Sequence, residues 1–469
     1  MTADTLQSLT DRANAAKAAG RPADALALYA QAVAIAPKSG VAEHNHAALL
    51  GDLARYAETE AACRRAFAKG LDAPETWLVL ARALQGLQRL DEAEAAYREA
   101  LRRRPGMADT HRDYAQLVWM RSGDIAAATR ALDDAMARGA GDPALRLVKA
   151  RILEYAEDFE GCYAVLSAVI QRQDDIVARI RASGIAARLG RVQEALEHAQ
   201  RALKLDTRDP GALSALAQAH LAAGQPELAL AEFAPLRSRY PRDQFLIALQ
   251  LTALRMLDNP QRHALLDYAS LVRGWRLATP PGWSDLPSYL AELKSALLEH
   301  HRYHTHPFGQ SVRHGSQAPD ILLWPHPAIR AFTQAVTEPI NSHLAALGQG
   351  PDPARSRNRG DWRFNGVWSV RLPPNGFHAN HVHPDGWLSS ACYIDLPQAV
   401  TAAAARREGW IKFGEPGVPT APQLEPEHYV APEPGLLVLF PSYMWHGTVP
   451  FSGTDSRLTI AFDLVPATP

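Results

Sequence analysis

The sequence predicts an α+β multidomain chain, an N-terminal all-α solenoid followed by a jelly-roll β-domain with flanking helices. Three observations carry this expectation. A 34-residue period runs through the first half of the chain. Composition shifts near residue 278, from Ala, Leu, Arg and Glu to Pro, Gly, Trp and His. After Asp361, short apolar or alternating runs separated by turn residues replace helical spacing.

The period comes first in the chain. Pro37, Pro105 and Pro241 lie 68 and 136 residues apart, two and four times 34. Ala25, Ala93, Ala127, Ala195 and Ala229 share that period, as do Tyr29, Tyr97 and Phe233. Ala32, Ala66, Ala100, Ala168 and Ala202 form another column, and Gly20, Gly190 and Gly224 a further one. In phase, these describe about seven units between Leu6 and Asp243. Each unit reads as two helices joined at the glycine: alanines allow close approach, the aromatic fills the gap, and proline closes the second helix. Units four and five are poorer, with Gly123 one position late and Gly161 in place of alanine. The units resemble the tetratricopeptide repeat (TPR). The third matches best, with Trp77, Leu80, Ala81, Ala93, Tyr97, Ala100 and Pro105 at the family's positions. The resemblance implies a concave face that holds a peptide or protein partner; a dimerisation or spacer role is the alternative. Residues 1–243 are thus expected to form the solenoid, and 244–283 its capping helices and a linker.

Residues 284–469 form the expected third segment. Leu290, Leu293 and Leu297 mark one amphipathic helix over 284–300; Ile329, Phe332, Val336 and Ile340 mark another over 326–346. Strands are predicted at Trp368–Leu372, Phe377–His383, Leu388–Leu396, Trp410–Phe413, Leu436–Phe440 and Leu458–Val465. Turns such as Pro373-Pro-Asn-Gly376 and Pro432-Glu-Pro-Gly435 separate them.

The chemistry sits on these strands. In Gly376-Phe-His-Ala-Asn-His-Val-His-Pro-Asp385, His381 and His383 share a strand face, and Asp385 joins them if the strand survives Pro384. His378 is out of phase with that face. Imidazoles and a carboxylate in this array suit a divalent first-row metal, and His446 supplies a distal ligand. Eleven residues on, Arg457 opens a strand on which Arg457 and Thr459 face opposite to Leu458, Ile460 and Phe462. Such an arginine, with a hydroxyl two residues away, would grip the distal carboxylate of a metal-chelated keto acid.

The stretches WSVRLPPNGFHANHVHPDGWLSSACYIDLP (368–397) and PGLLVLFPSYMWHGTVPFSGTDSRLTIAFDLVP (434–466) resemble the 2-oxoglutarate/Fe(II)-dependent oxygenases of the prolyl-hydroxylase-like superfamily. HPFGQSVRHGSQ at 306–317 resembles a segment upstream in the same subgroup, which often follows TPR repeats. The resemblance covers roughly residues 300–466. It implies a double-stranded β-helix, with Fe(II) and 2-oxoglutarate as cofactors. Two ligand sets remain open: His381, His383 and His446, or His383, Asp385 and His446, with Asp385 replacing His381. In the first, Asp385 becomes a partner orienting a ring N–H. Tyr393 is either a hydrogen-bond donor to the cosubstrate or a core aromatic. Arg371 reads as a solvated arginine. His300, His301, His304 and His306 read as surface or helix-terminal residues, and Gln310, Arg313 and Gln317 as a polar loop. No catalytic residue beyond the metal site is expected.

The expected activity is therefore a dioxygenase that hydroxylates a C–H bond of a peptide or protein recruited by the solenoid, with O2 consumed and succinate and CO2 released. Alternatives are an oxygenase or halogenase acting on a small molecule, a TPR scaffold with a non-catalytic metal-binding β-domain, and a cupin-like metalloenzyme that does not use 2-oxoglutarate. A net charge of −1 makes no case for a nucleic-acid or membrane partner. The first residues lack a basic region and an apolar run, and Cys63, Cys162 and Cys392 show no paired spacing; a cytoplasmic setting with reduced thiols is expected.

Overall fold

The computed structural model describes residues 5–139, 143–402 and 404–467; the first four residues, read above for a leader, lie outside them. The backbone falls into two compact units, Met1–Trp119 with Asp124–Ile152, and Met120–Gly123 with Leu153–Pro469.

The first unit holds three helix pairs, Leu6–Ala18 with Pro22–Ile35, Gly40–Asp52 with Tyr56–Ala68, and Pro74–Gly86 with Leu90–Arg103. The helix Ile125–Ala137 and most of Ala108–Ser122 and Pro143–Tyr155 follow. Pairing continues in the second unit through Phe159–Arg172, Ile176–Arg188, Val192–Leu205, Pro210–Ala222, Pro226–Arg239 and Gln244–Met256. The repeat period is visible in backbone dihedrals. Gly20, Ala54, Gln88, Gly190, Gly224 and Asp258 each end a helix with φ between 48° and 73°, as a left-handed cap requires. In units four and five that residue comes one position late, at Gly123 and Glu157. The slip carries into the core. Ala128, Cys162 and Val169 are buried where the unshifted columns had put Ala127, Gly161 and Ala168. Aspartates start several helices: Asp158, Asp175, Asp209 and Asp243 each accept the N–H three residues on, at 2.7–2.9 Å.

Strands β1 (Arg273–Arg276), β2 (Val312–Arg313), β3 (Ser316–Ala318), β4 (Arg363–Leu372), β5 (Phe377–His378) and β6 (Leu388–Asp395) come first. They are followed by β7 (Ile411–Phe413), β8 (His428–Val430), β9 (Leu436–Pro441), β10 (His446–Thr448) and β11 (Arg457–Val465). A six-stranded antiparallel sheet runs β1-β9-β6-β11-β4-β3. A second layer is formed by β10-β7-β8 and by β2-β5, linked through a bridge between His381 and His446. Helices Leu286–Leu298 and Phe332–Leu347 cover the larger sheet. Leu290, Leu293, Phe332, Val336 and Ile340 share its core with Leu437, Leu439, Ile460 and Phe462.

Two features depart from the sequence reading. The segment read as capping helices and linker contributes β1, an edge strand paired to β9. The solenoid's last helices also share a core with the β-domain, where Leu221, Phe233, Leu246 and Leu249 pack with Val382 and Trp445. The Trp445 indole donates to Thr252 Oγ1 at 3.0 Å, and Arg255 donates to the carbonyls of Gly414 and Glu425. The three cysteines are buried and free, and burial pushes the Cys63 and Cys162 thiols up to about 12. Among the described residues, no helix is long and apolar enough to cross a membrane.

Candidate metal centre

The strand predicted over Phe377–His383 stops at His378, and the chain bends through Ala379 and Asn380. His381 then re-enters the layer opposite His446, exchanging two backbone hydrogen bonds of 2.9 and 3.0 Å. The His383 N–H donates to Ser442 O at 3.0 Å. Gly447 makes this approach feasible: a Cβ there would lie 2.4 Å from Asn380 Oδ1 and 2.9 Å from His378 O.

Each imidazole is oriented through Nδ1. His381 Nδ1 lies 2.8 Å from Ala379 O, His446 Nδ1 2.9 Å from Met444 O, and His383 Nδ1 2.8 Å from Asp463 Oδ2. Carbonyl and carboxylate oxygens only accept, so these Nδ1 atoms carry the protons and the Nε2 atoms keep lone pairs. Ring nitrogens of the three histidines all lie within 4.8 Å of one another, with His381 and His383 Nε2 3.1 Å apart. Two lone pairs at that distance repel unless a cation shares them. The donor set therefore fits a divalent metal, and burial, the largest influence on both groups, holds His381 and His446 neutral as ligands must be.

Asp385 is exposed beyond Pro384 and outside this cluster; the carboxylate orienting a ring N–H is instead Asp463. Its second oxygen accepts from Ser389 Oγ at 2.7 Å, which fixes the pair. Asp463 continues the β11 face of Arg457 and Thr459, so strand alternation could have pointed to it. His378, left out by that same alternation, lies on the cleft wall with its ring 5.9 Å from that of His381, because the bend reverses the phase. Burial pushes it down to about 3.

Arg457 is 2% exposed and donates to Thr448 Oγ1 at 3.3 Å. Its Nε has no hydrogen-bond partner, and no carboxylate pairs with it among the described residues. Burial lowers its pKa, which the neighbouring Tyr393 opposes. A guanidinium desolvated without a counter-ion is strongly unfavourable, so the position fits an anionic ligand. Thr459 is buried on the same face. Tyr393 is fully buried beneath the guanidinium, 5.0 Å from ring centroid to Cζ, and does not line the cleft.

These groups open on a cleft of about 1170 Å³. Gln310, Arg313 and Gln317 line it. So do Tyr155, Phe159 and Arg188 of the solenoid helices, which nothing in the sequence marked. Arg371 is exposed and donates to Ser456 Oγ. The histidine run is less superficial than its polarity implied. His301 is buried between Ser316 Oγ and Ser369 Oγ, His306 is buried, and His300 stacks on Trp324.

Residues 366–463 match the family model described as "Putative 2OG-Fe(II) oxygenase". Residues 74–117 and 186–251 match tetratricopeptide-repeat models. Similar solved structures include a tetratricopeptide repeat protein from Parabacteroides merdae, at 13% identity and TM-score 0.38, covering 53% of this chain and 98% of that one. The APC/C hetero-tetramer Cut9-Hcn1 aligns at 17% identity and TM-score 0.35, covering 53% of this chain and 48% of that one. Naa15/Naa10 bound to HypK-THB aligns at 18% identity and TM-score 0.29, covering 53% and 39%. No curated protein matches the chain.

Proposed function

We propose that the chain is an Fe(II)- and 2-oxoglutarate-dependent oxygenase that hydroxylates a C–H bond of a peptide or protein recruited by the solenoid, with succinate and CO2 as co-products. One observation carries this reading: three converging imidazoles share a cleft with a buried guanidinium that has no counter-ion among the described residues. His381, His383 and His446 would hold the iron through Nε2, since each ring commits its Nδ1–H to an oxygen. Arg457, with Thr459 two residues along β11, would bind the distal carboxylate of the keto acid. When bound, iron and 2-oxoglutarate supply the oxidising power, coupling oxidative decarboxylation of the keto acid to oxidation of the substrate.

The protein's part is positional and electrostatic. Asp463 holds the His383 ring, and the paired backbones of residues 381 and 446 hold the other two. With three histidines as protein ligands, an iron held here would have little room for a halide beside the keto acid, which favours hydroxylation over halogenation. The cleft is larger than a five-carbon keto acid, and Gln310, Gln317, Asn365, Asn380 and Gln423 line it with amides suited to a peptide backbone. That supports a peptide over a small molecule. Anaerobic titration of the Fe(II)-loaded chain with 2-oxoglutarate should produce a weak visible metal-to-ligand charge-transfer band. Arg457→Met should keep the iron while raising the 2-oxoglutarate concentration required by at least roughly tenfold. Folded, iron-loaded protein without the band would sink the reading.

A further inference from the structure

We infer that the solenoid side of the cleft is a substrate subsite for a carboxylate, with Arg188 as its anion-binding residue and Phe159 and Tyr155 as its apolar wall. This rests on the oxygenase reading with a peptide substrate, and it assigns to the solenoid a direct part in choosing which peptide is oxidised. Arg188 ends the helix Ile176–Arg188; its guanidinium carbon sits 5.7 Å from the Phe159 ring centroid, and Nη2 donates to Gly417 O at 3.1 Å. Phe159, Arg188 and Gly417 all line the cleft that holds the three histidines.

Charge pairing around the cleft singles Arg188 out. Arg313 is paired with Glu157 at 2.6 Å, Arg181 with Glu154 at 3.0 Å, and Lys412 with Glu415. Arg188 has no carboxylate partner among the described residues, and the acids nearest its charge, Glu154 and Glu157, are committed elsewhere. A cation at a helix C-terminus is favoured by the helix dipole, which accounts for a charge at this position. It does not account for a guanidinium held over an aromatic ring and tied to the carbonyl of Gly417, 229 residues along the chain. Beyond the one N–H given to Gly417 O, the guanidinium keeps donors of the kind with which arginine recognises carboxylates. Among the described residues, the cleft is thus lined by two cations without a carboxylate partner. Arg457, deep on β11, suits the cosubstrate; Arg188, on the solenoid, suits an aspartate or glutamate of the substrate peptide.

The test uses the full chain, anaerobic, with Fe(II) and 2-oxoglutarate. It is titrated with two fluorescent pools of short randomised peptides, one with glutamate fixed at the centre and one with lysine. The wild type should bind the glutamate pool roughly threefold more tightly, as expected for a partly exposed charge pair. Arg188→Gln should erase the preference and Arg188→Glu should reverse it. Equal binding of the pools by the wild type, binding of neither, or a glutamate preference retained in Arg188→Glu overturns the subsite. The charge-transfer band separates the two readings. A band without the preference condemns only the subsite, whereas the preference without a band condemns the oxygenase. A band in Arg188→Glu also shows that the variant is folded.

Discussion

Asp463 and Asp385 are two carboxylates with opposite prospects near one candidate metal centre. Asp463 is buried, accepts from His383 Nδ1 and is braced by Ser389, whereas Asp385 is exposed past a proline. Asp463→Ala should therefore weaken Fe(II) binding by about ten- to a hundredfold in a competition titration, while Asp385→Ala keeps its iron. The reverse result would return Asp385 to the ligand set. A second residue-scale expectation concerns His301. Unfolded, its imidazole takes a proton near its ordinary value of 6.5; in the fold, burial pushes that down to about 4. Between those values the unfolded chain binds the extra proton. The stability His301 contributes is thus fully present above pH 6.5 and drains as pH falls towards 4, by at most about 1.4 kcal/mol per pH unit. Denaturant titrations of wild type and His301→Gln across that window should differ in slope; parallel curves would refute the assignment. His301 read as superficial because it follows a helix and lies in a polar run. Its burial comes from Ser316 and Ser369, 15 and 68 residues away.

Among the elements, β10 and the bridge at His381 depend on what lies behind them. Val382 and Trp445, each next in sequence to a candidate ligand, pack into the core formed with Leu246 and Leu249. Thr252→Val would leave the buried indole N–H of Trp445 without its acceptor, costing about 1–3 kcal/mol. Trp445→Ala would open a cavity, cost about 3–5 kcal/mol, and release iron because His446 loses its footing. Chemical denaturation alongside iron content checks both; unchanged stability in Thr252→Val would show that the contact is idle. The helices and longer strands were legible from periodicity because each buries an apolar face along its own length. β1, β2, β3, β8 and β10 were not, since segments of two to four residues carry too little pattern and exist by pairing with distant partners.

At the scale of the molecule, the unit that carries the candidate site begins well before the compositional shift near residue 278. The β-domain's sheet includes β1, and the segments carrying the three histidines pack against the helices between Pro210 and Met256. A fragment comprising residues 284–469 should fail to fold cooperatively or to retain Fe(II), while the full chain does both. A stable, iron-binding 284–469 fragment would show that the shared core is dispensable.

Sequence alone sufficed for the repeat and the class of both architectures, and it pointed to His381, His383, His446 and Arg457, which the structure brings to one cleft. Those signals are periodic or closely spaced, and local backbone geometry turns spacing into a shared face. Tertiary structure decided the rest. It left Asp463 rather than Asp385 beside the ligand ring, brought His378 to the cleft wall through a bend, and set Tyr155, Phe159 and Arg188 of the solenoid around the same cleft. Arg188 is 258 residues from His446 in the chain, and no local pattern records such a meeting. The burial of Val382 and Trp445 against the last solenoid helices helps bring the strands of the three histidines and the solenoid into one core.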